Sequence, residues 1–376
     1  MSVKLLIVVN VDWFFLSHRL PVALAALQRG DEVHIATTLT QGSASLEAYG
    51  FRVHALQIDR SATGPMGLLG LCLQLLRLFW RVRPDVLHLV TIKPVLLGGL
   101  VARLAPVGGV VYAISGLGHV FVAQGVWGRL RRLLVSGWYR LVLGARNMRV
   151  IFQNPDDRAA LAGVATLRPE QTVLIPGSGV DLTLYPALPL PAGQPMVMMA
   201  ARLLKTKGVQ EFVQAAQQLK MQGVDARFCL VGDLDPDNPA SVEAAQLQDW
   251  QRQGVVETLG HRAEIAALMA QATMVVLPSY REGLPKVLIE AAACGRAVVT
   301  TDVPGCRDAI EEGVTGLLVP ARNAQALALA IKRLLDDRAL CASMGAAGRA
   351  RAERIFDVQA VVQTHLALYD ALRSQA

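Results

Sequence analysis

The 376-residue sequence has little cysteine, and the five it holds, Cys72, Cys229, Cys294, Cys306 and Cys341, are scattered and never form a C-x-x-C pair. An odd, dispersed set makes neither a disulfide framework nor a zinc site and fits a reducing cytoplasm. The dinucleotide fingerprint G-x-G-x-x-G is also missing. The first apolar run, "LLIVVNV", passes into "DWFFLSH" without a glycine, and "SGLGHVF" has Gly116 and Gly118 but Phe121 in the third place. A nicotinamide or flavin Rossmann enzyme is therefore disfavoured. There is no Lys/Arg-rich tail, zinc spacing or RNA-binding aromatic signature, so nucleic acid is not an expected partner. No segment is a clean transmembrane span. "GPMGLLGLCLQLLRLFWRVRP" falls short of the roughly 20 apolar residues needed and is interrupted or flanked by Arg77, Arg81 and Arg83. "VLLGGLVARLAPVGGVVYAI" carries Arg103 and Pro106. The N-terminal apolar run is β-branched, has Asp12 close behind it and lacks a cleavage site, which suits a buried strand better than a secretion signal.

What is abundant is apolar and basic. Hydrophobic residues make up 53% and the formal charge is +7, with a mean hydropathy of +0.37 and a pI near 9.4. Such a chain calls for phosphorylated ligands or an anionic membrane surface. Its length exceeds one ordinary core and predicts two domains. Strand and helix patterns alternate through the first half: "LLIVVNV" strand, Ser17–Arg29 helix, "EVHIATT" strand, a long helix over about Met66–Arg81, "DVLHLVT" strand, and onward to "TVLIPGSGV". "YPALPLPAGQP" then packs four prolines into Tyr185–Pro195 and reads as a linker. The alternation restarts at "MVMMAAR". Two doubly wound, Rossmann-like α/β domains with parallel sheets follow, residues 1–184 and 185–359, with a ligand cleft expected between them at the strands' carboxyl ends.

The most informative stretch is "MVVLPSYREGLPKVLIEAAACG". A buried strand runs through a tight loop into a helix, an arrangement that aims backbone N–H groups and a positive helix dipole at an anion. Gly283 permits close approach, and Pro285 fits the first helical turn. Glu282 stands at that mouth, suited to sugar hydroxyls. Glu290 lies two turns along among apolar neighbours, where a carboxylate needs partners, and suits a ribose diol. The alternative is a solvated cap and an ordinary helix glutamate. After the strand "MVMMA", the loop "AARLLKTKG" presents Arg202, Lys205 and Lys207, cations able to clamp a diphosphate. "GDLDPDNP" groups Asp233, Asp235 and Asp237 but reads as a Pro-punctuated loop rather than a metal motif, so no metal or cofactor is expected.

Arg202 and Lys207, followed by Glu282 and Glu290 with seven residues between, resemble the retaining glycosyltransferases of family 4 with the GT-B fold. "SYREGLPKVLIEAAACGRAVVTTDVPGCRDAIEEGVTGLLVP" is close to that family's wording, and the likeness covers nearly the whole chain. It implies a metal-independent hexosyltransferase in which Arg202 and Lys207 neutralise the donor diphosphate, Glu282 meets the transferred sugar and Glu290 holds the ribose. Gly283, Leu284, Lys286 and Val287 would offer contacts to sugar and phosphate, and Gly260, His261 and Arg262 would flank the base. A first-domain histidine touching the sugar maps onto His119, whose alternative is a satisfied loop histidine. His18 and Lys93 follow strand ends and would face the acceptor, unless they are a capping and a solvated side chain. The C-terminal helix, 360–376, would pack back on the first domain.

"FFLSHRLPVALAALQRGDEVHIAT" and "DVLHLVTIKPVLLGGLVARL" resemble the bacterial subgroup that extends sugars on undecaprenyl-diphosphate carriers for O-antigen, capsule or glycoprotein glycans. That likeness implies a UDP-N-acetylhexosamine donor, a polyprenyl-diphosphate-linked acceptor and a peripheral place on the inner face of the cell membrane. "WGRLRRLLVSGWYRLVLGARNMR" interleaves Arg with Leu, Trp and Tyr, which suits an interfacial helix on anionic lipid. Alternatives are a nucleotide-sugar epimerase of similar architecture and a non-enzymatic nucleotide-sugar sensor.

Overall fold

The computed structural model describes residues 2–40, 42–58, 64–116, 135–144 and 147–374. By internal contacts the chain divides into two units, Met1–Ser178 with Gln359–Ala376, and Gly179–Val358.

The first unit is built on seven strands: β1 (Lys4–Val11), β2 (Glu32–Thr38), β3 (Arg52–Ala55), β4 (Val86–Val90), β5 (Gly109–Ile114), β6 (Met148–Phe152) and β7 (Thr172–Leu174). They pair in parallel in the order β3-β2-β1-β4-β5-β6-β7. Every residue of β4, β5 and β6 is buried, as a sheet covered on both faces requires. Order reverses between β1 and β4, so the carboxyl ends of these two strands open a crevice. The first helix begins at Asp12, five residues before the Ser17 start expected from sequence, and breaks at Arg19 into Asp12–His18 and Leu20–Gln28. Val11 at the N-cap makes no side-chain bond, and Asp12 Oδ1 accepts from Trp13 N–H at 2.8 Å. The helix expected over "VLLGGLVARLA" opens as a wide π turn, Pro94–Gly98, before Gly99–Ala102.

The C-terminal helix Val358–Arg373 docks on this unit. Tyr369 and His365 are buried, Tyr369 Oη lies 2.7 Å from His88 Nδ1, and Leu372 O accepts from Asn147 Nδ2 at 3.1 Å.

The second unit has six parallel strands: β8 (Met196–Ala200), β9 (Arg227–Val231), β10 (Glu257–Thr258), β11 (Met274–Leu277), β12 (Ala297–Thr301) and β13 (Gly316–Val319). Their order is β10-β9-β8-β11-β12-β13, with the reversal between β8 and β11. Val209–Met221, Lys286–Ala293 and Ala324–Asp336 cover the sheet with apolar faces, Phe212, Ile289 and Ile331 among them. The proline-rich stretch is held at its start and at its middle. Tyr185 is buried, and the Arg338 guanidinium donates to Leu190 O and Pro191 O.

Candidate active site

At the switch point of the second sheet, the loops leaving β8 and β11 lock together. β8 ends at Ala200, and the chain turns through a single 3-10 turn, Lys205–Lys207, into Gly208. Gly208 has φ +78°, and a Cβ there would stand 2.1 Å from Pro278 O, so only glycine lets the two loops approach this closely. Tyr280 N–H donates to Thr206 O at 3.0 Å. Lys207 Nζ donates to Glu282 Oε1 at 2.5 Å, with both side chains mostly buried.

The β11 loop is held from its other side by β12. Thr300 Oγ1 donates to Leu277 O at 2.7 Å and Thr301 Oγ1 to Ser279 O. Glu282 N–H donates to Pro304 O at 3.2 Å. Gly305, at φ +83°, packs so closely that a Cβ would lie 2.5 Å from Glu282 O and 2.6 Å from Gly283 O. Beneath them the fully buried Cys306 thiol is pushed up to about 12 by burial and by the Glu282 charge, so it stays protonated and unreactive.

The helix that follows, Lys286–Ala293, starts with Pro285 at the N-cap rather than inside the first turn, and no side chain caps it. An uncapped N-terminus aimed at a strand-end crevice is a ready anion site. Glu290 is 7% exposed on this helix. Its Oε1 accepts from Tyr185 Oη at 2.7 Å and lies 3.3 Å from Lys286 Nζ one turn back. Burial and then the Glu290 carboxylate push the Tyr185 phenol well above its usual range, so it remains a donor. Arg349 in turn holds Tyr185 O and Ala293 O, both at 2.7 Å.

The three aspartates of "GDLDPDNP" lie at the end of β9, and two of them anchor neighbouring loops. Asp235 Oδ2 accepts from Arg202 Nη1 at 2.6 Å, and Asp233 Oδ1 accepts from His261 N–H at 3.0 Å. Gly232 N–H donates to Gly260 O at 2.8 Å. Among the described residues, no group of three His, Cys, Asp or Glu side chains could hold a metal ion. Tyr280 Oη donates to Glu211 at 2.7 Å and its ring carries the Arg322 guanidinium 4.6 Å from its centre. Burial and Glu211 push its phenol up to about 12.

Thus Arg202, Lys207, Glu282, Gly283, Leu284, Gly260 and His261 belong to loops bonded to one another at the carboxyl edge of one sheet, and Lys286, Val287 and Glu290 to the helix that continues one of those loops. Arg262 is exposed beside them. In the first unit His18 ends the helix Asp12–His18, its ring stacked on Phe14 at 4.1 Å, and Lys93 precedes the π turn after β4. Both stand after the strands that flank that sheet's switch point. There Thr91, at the unusual φ of +73°, donates from Oγ1 to Asn10 Oδ1 at 2.5 Å, and Asp12 accepts from Thr40 N–H and Thr40 Oγ1 at 2.6 and 2.7 Å. His119 lies outside the described residues. The sequence pattern did not single out Tyr185, Asn10 or Thr91, and it marked Asp235 only as part of a Pro-punctuated loop, not as the partner of Arg202.

Comparison with known proteins follows the same division. Residues 4–138 match the family "Glycosyl transferase 4-like" and residues 183–351 match "Glycosyl transferases group 1". The chain is 29% identical over 377 aligned residues to N,N'-diacetylbacillosaminyl-diphospho-undecaprenol alpha-1,3-N-acetylgalactosaminyltransferase of Campylobacter jejuni, covering 95% of this chain and 97% of that one. It is 34% identical over 172 residues to the putative colanic acid biosynthesis glycosyltransferase WcaL of Salmonella typhimurium, 43% of this chain and 41% of that one. Among solved structures, sucrose-phosphate synthase of Thermosynechococcus elongatus superposes with a TM-score of 0.80 at 22% identity, over 99% of each chain. Anabaena HepE in complex with UDP gives 0.75 at 22%, over 98% of this chain and 100% of that one.

Proposed function

Because the chain belongs to the glycosyltransferases, a 4-like N-terminal half joined to a group 1 C-terminal half in the GT-B fold, we propose that it moves an N-acetylhexosamine, with retention, from a UDP-sugar to a polyprenyl-diphosphate-linked saccharide during surface-glycan assembly. The family matches are to transferases, and nothing in them favours the epimerase alternative.

One observation carries the donor half of this reading: the Lys207–Glu282 pair ties the β8 turn to the β11 loop beside an uncapped helix start. A sugar diphosphate suits such a place. Negative charge grows on the diphosphate as its bond to the anomeric carbon breaks, and fixed cations and N–H dipoles stabilise that charge more in the transition state than before it. Arg202 and Lys207 supply the cations, and backbone N–H groups at Gly283, Leu284, Lys286 and Val287 supply the dipoles. Glu282 then accepts hydrogen bonds from the sugar, Glu290 takes the ribose diol, and Gly260, His261 and Arg262 border the base. In the first unit His119 touches the transferred sugar, and His18 and Lys93 meet the acceptor. No metal or resident cofactor takes part, the UDP-sugar being the donor substrate, and nucleic acid is no partner.

The acceptor reading is supported by the full-length relative, whose name describes transfer onto an undecaprenol-linked sugar. Among the described residues no helix is long and apolar enough to cross a membrane. We place the protein peripherally on the inner face of the bacterial membrane because a polyprenyl-linked acceptor would be presented there. The test is incubation with labelled UDP-sugars and a lipid-linked acceptor. Label on the lipid supports transfer, an isomerised donor would mean epimerisation, and binding without turnover would mean a sensor. A melting-temperature screen of nucleotide sugars identifies the donor, since a ligand of the native state raises it.

A further inference from the structure

The helix Pro65–Val82 turns Leu71, Leu75 and Phe79 into the core, yet its other face is apolar as well. Met66 is 86% exposed, Leu69 62%, Leu73 46% and Trp80 52%. Spaced three, four and seven apart, they form one stripe about 21 Å long. Two hydrogen bonds continue it across the surface. Trp80 Nε1 donates to Leu104 O at 3.1 Å, and Arg103 Nη1 donates to Leu141 O at 2.6 Å. Leu104 and Leu141 are exposed in turn, as is Trp138 one turn before Leu141. A helix apolar on both faces belongs in a core or against a second apolar phase, and a contiguous outward patch marks a docking surface.

Charge decides what docks. Residues 61–155, which hold the whole patch, contain eleven Lys or Arg and a single acid, Asp85: a net +10 where the full chain is +7. The other 281 residues are therefore net −3. Asp85 does not temper the patch, since its carboxylate accepts from Lys4 N–H at the amino end of the strands. Arg77 lies on the stripe, and Arg81, Arg83, Arg103 and Arg140 are exposed around it. A second copy brought against this face would set cation against cation.

Resting on the lipid-linked acceptor reading and deepening it, we propose that this face, the stripe Met66–Trp80 with Leu104, Trp138 and Leu141, lies on an anionic phospholipid surface. Its apolar side chains enter the headgroup boundary, and its arginines lay their stems on the apolar phase while the guanidinium groups meet lipid phosphates.

The experiment uses the full chain and sedimentation with phosphatidylcholine vesicles, with and without phosphatidylglycerol and free of any glycosyl acceptor. Wild type is expected to pellet with the anionic vesicles, and to release when salt rises from about 0.1 M to about 0.5 M and the screening length falls from about 10 Å to about 4 Å. Leu69→Gln with Leu73→Gln should weaken binding at least about tenfold, and Arg77→Gln about fivefold. All three side chains are exposed, so melting temperature and turnover on an acceptor with a short, water-soluble lipid should hold. Wild-type retention by the variants, or no wild-type pelleting, overturns the proposal. So does a wild-type dimer in ultracentrifugation that the leucine changes dissociate, which would assign the face to a second copy. Vesicle binding without turnover would instead sink the transfer reading and leave this surface standing.

Discussion

Replacing Glu290 probes the proposed donor site most directly, because its partners fix what each change removes. Oε1 already takes the Tyr185 hydroxyl at 2.7 Å and faces Lys286 at 3.3 Å. A ribose diol donates to a carboxylate through hydrogen bonds worth about 1.5–3 kcal/mol each. Glu290→Gln keeps the volume and one acceptor oxygen but loses the charge, so the donor should bind about tenfold more weakly, roughly 1.4 kcal/mol. Glu290→Ala removes both acceptors, costing about 3 kcal/mol or more, a hundredfold and upward in Kd. It also strands the buried Tyr185 hydroxyl, at about 1–3 kcal/mol of stability. Tyr185→Phe separates the two effects: stability falls, and donor affinity changes by less than about threefold, since the carboxylate keeps its lysine.

The assay is calorimetric titration with UDP-sugar and with its 2′-deoxyribose analogue, for wild type and each variant. If Glu290 holds the ribose, the deoxy penalty is large in wild type and nearly vanishes in Glu290→Ala, a coupling of about 1.5 kcal/mol or more. An undiminished deoxy penalty in the alanine variant would falsify the assignment, whatever the variant's stability.

Three further outcomes are expected. Arg202→Ala and Lys207→Ala should lower kcat about 100-fold while changing donor Kd less than tenfold, because the charge they meet develops in the transition state; equal losses in both would refer the two residues to ground-state binding. Gly305→Ala should unfold the β11 loop and abolish UDP-sugar binding, since its Cβ would lie 2.5 Å from Glu282 O at φ +83°; a variant with native donor affinity would contradict the packing. Acid should loosen the C-terminal helix: burial brings the His365 imidazole down to about 3 and holds His88 well below its ordinary 6.5, with the Arg19 charge adding to both. Both rings are neutral in the fold, so this pair's contribution to stability is flat above about pH 7 and falls below about pH 6.5 by up to about 2.7 kcal/mol per pH unit. Urea midpoints at pH 7 and 5 measure it, and equal midpoints would contradict the burial.

Strands were readable because their runs are β-branched and uninterrupted. β11 and β12 are "MVVL" and "AVVTT", apolar apart from two threonines whose hydroxyls turn back onto the neighbouring strand's loop. The start at Asp12 was not readable: Val11 occupies the N-cap with no polar side chain to offer, and the Asp12 carboxylate that accepts from Trp13 N–H also takes Thr40, 28 residues on. Glu290 announced itself as a carboxylate inside an apolar helical run that had to find partners. Its partner was hidden, because Tyr185 sits 105 residues away in a proline-rich stretch without periodicity. Asp235 was hidden in the same way, its pairing with Arg202 depending on β9 lying beside β8. Sequence pattern thus reveals a group's need for a partner, while sheet order supplies the partner.

Each cation of the site has a carboxylate at hand: Arg202 with Asp235, Lys207 with Glu282 and Lys286 with Glu290. On the proposed reading, a diphosphate arriving at the helix start would exchange partners rather than meet bare charge, and its affinity would be the difference between two sets of ion pairs. Glu282 would gain most from the exchange: were Lys207 to turn to phosphate, the carboxylate it now holds would be released to accept from a sugar hydroxyl, and occupancy of the diphosphate seat and recognition of the sugar would be coupled through one lysine. Free UDP and free sugar should then bind cooperatively, each tighter in the presence of the other, and Lys207→Met should erase that cooperativity while leaving the Glu290 ribose contact intact.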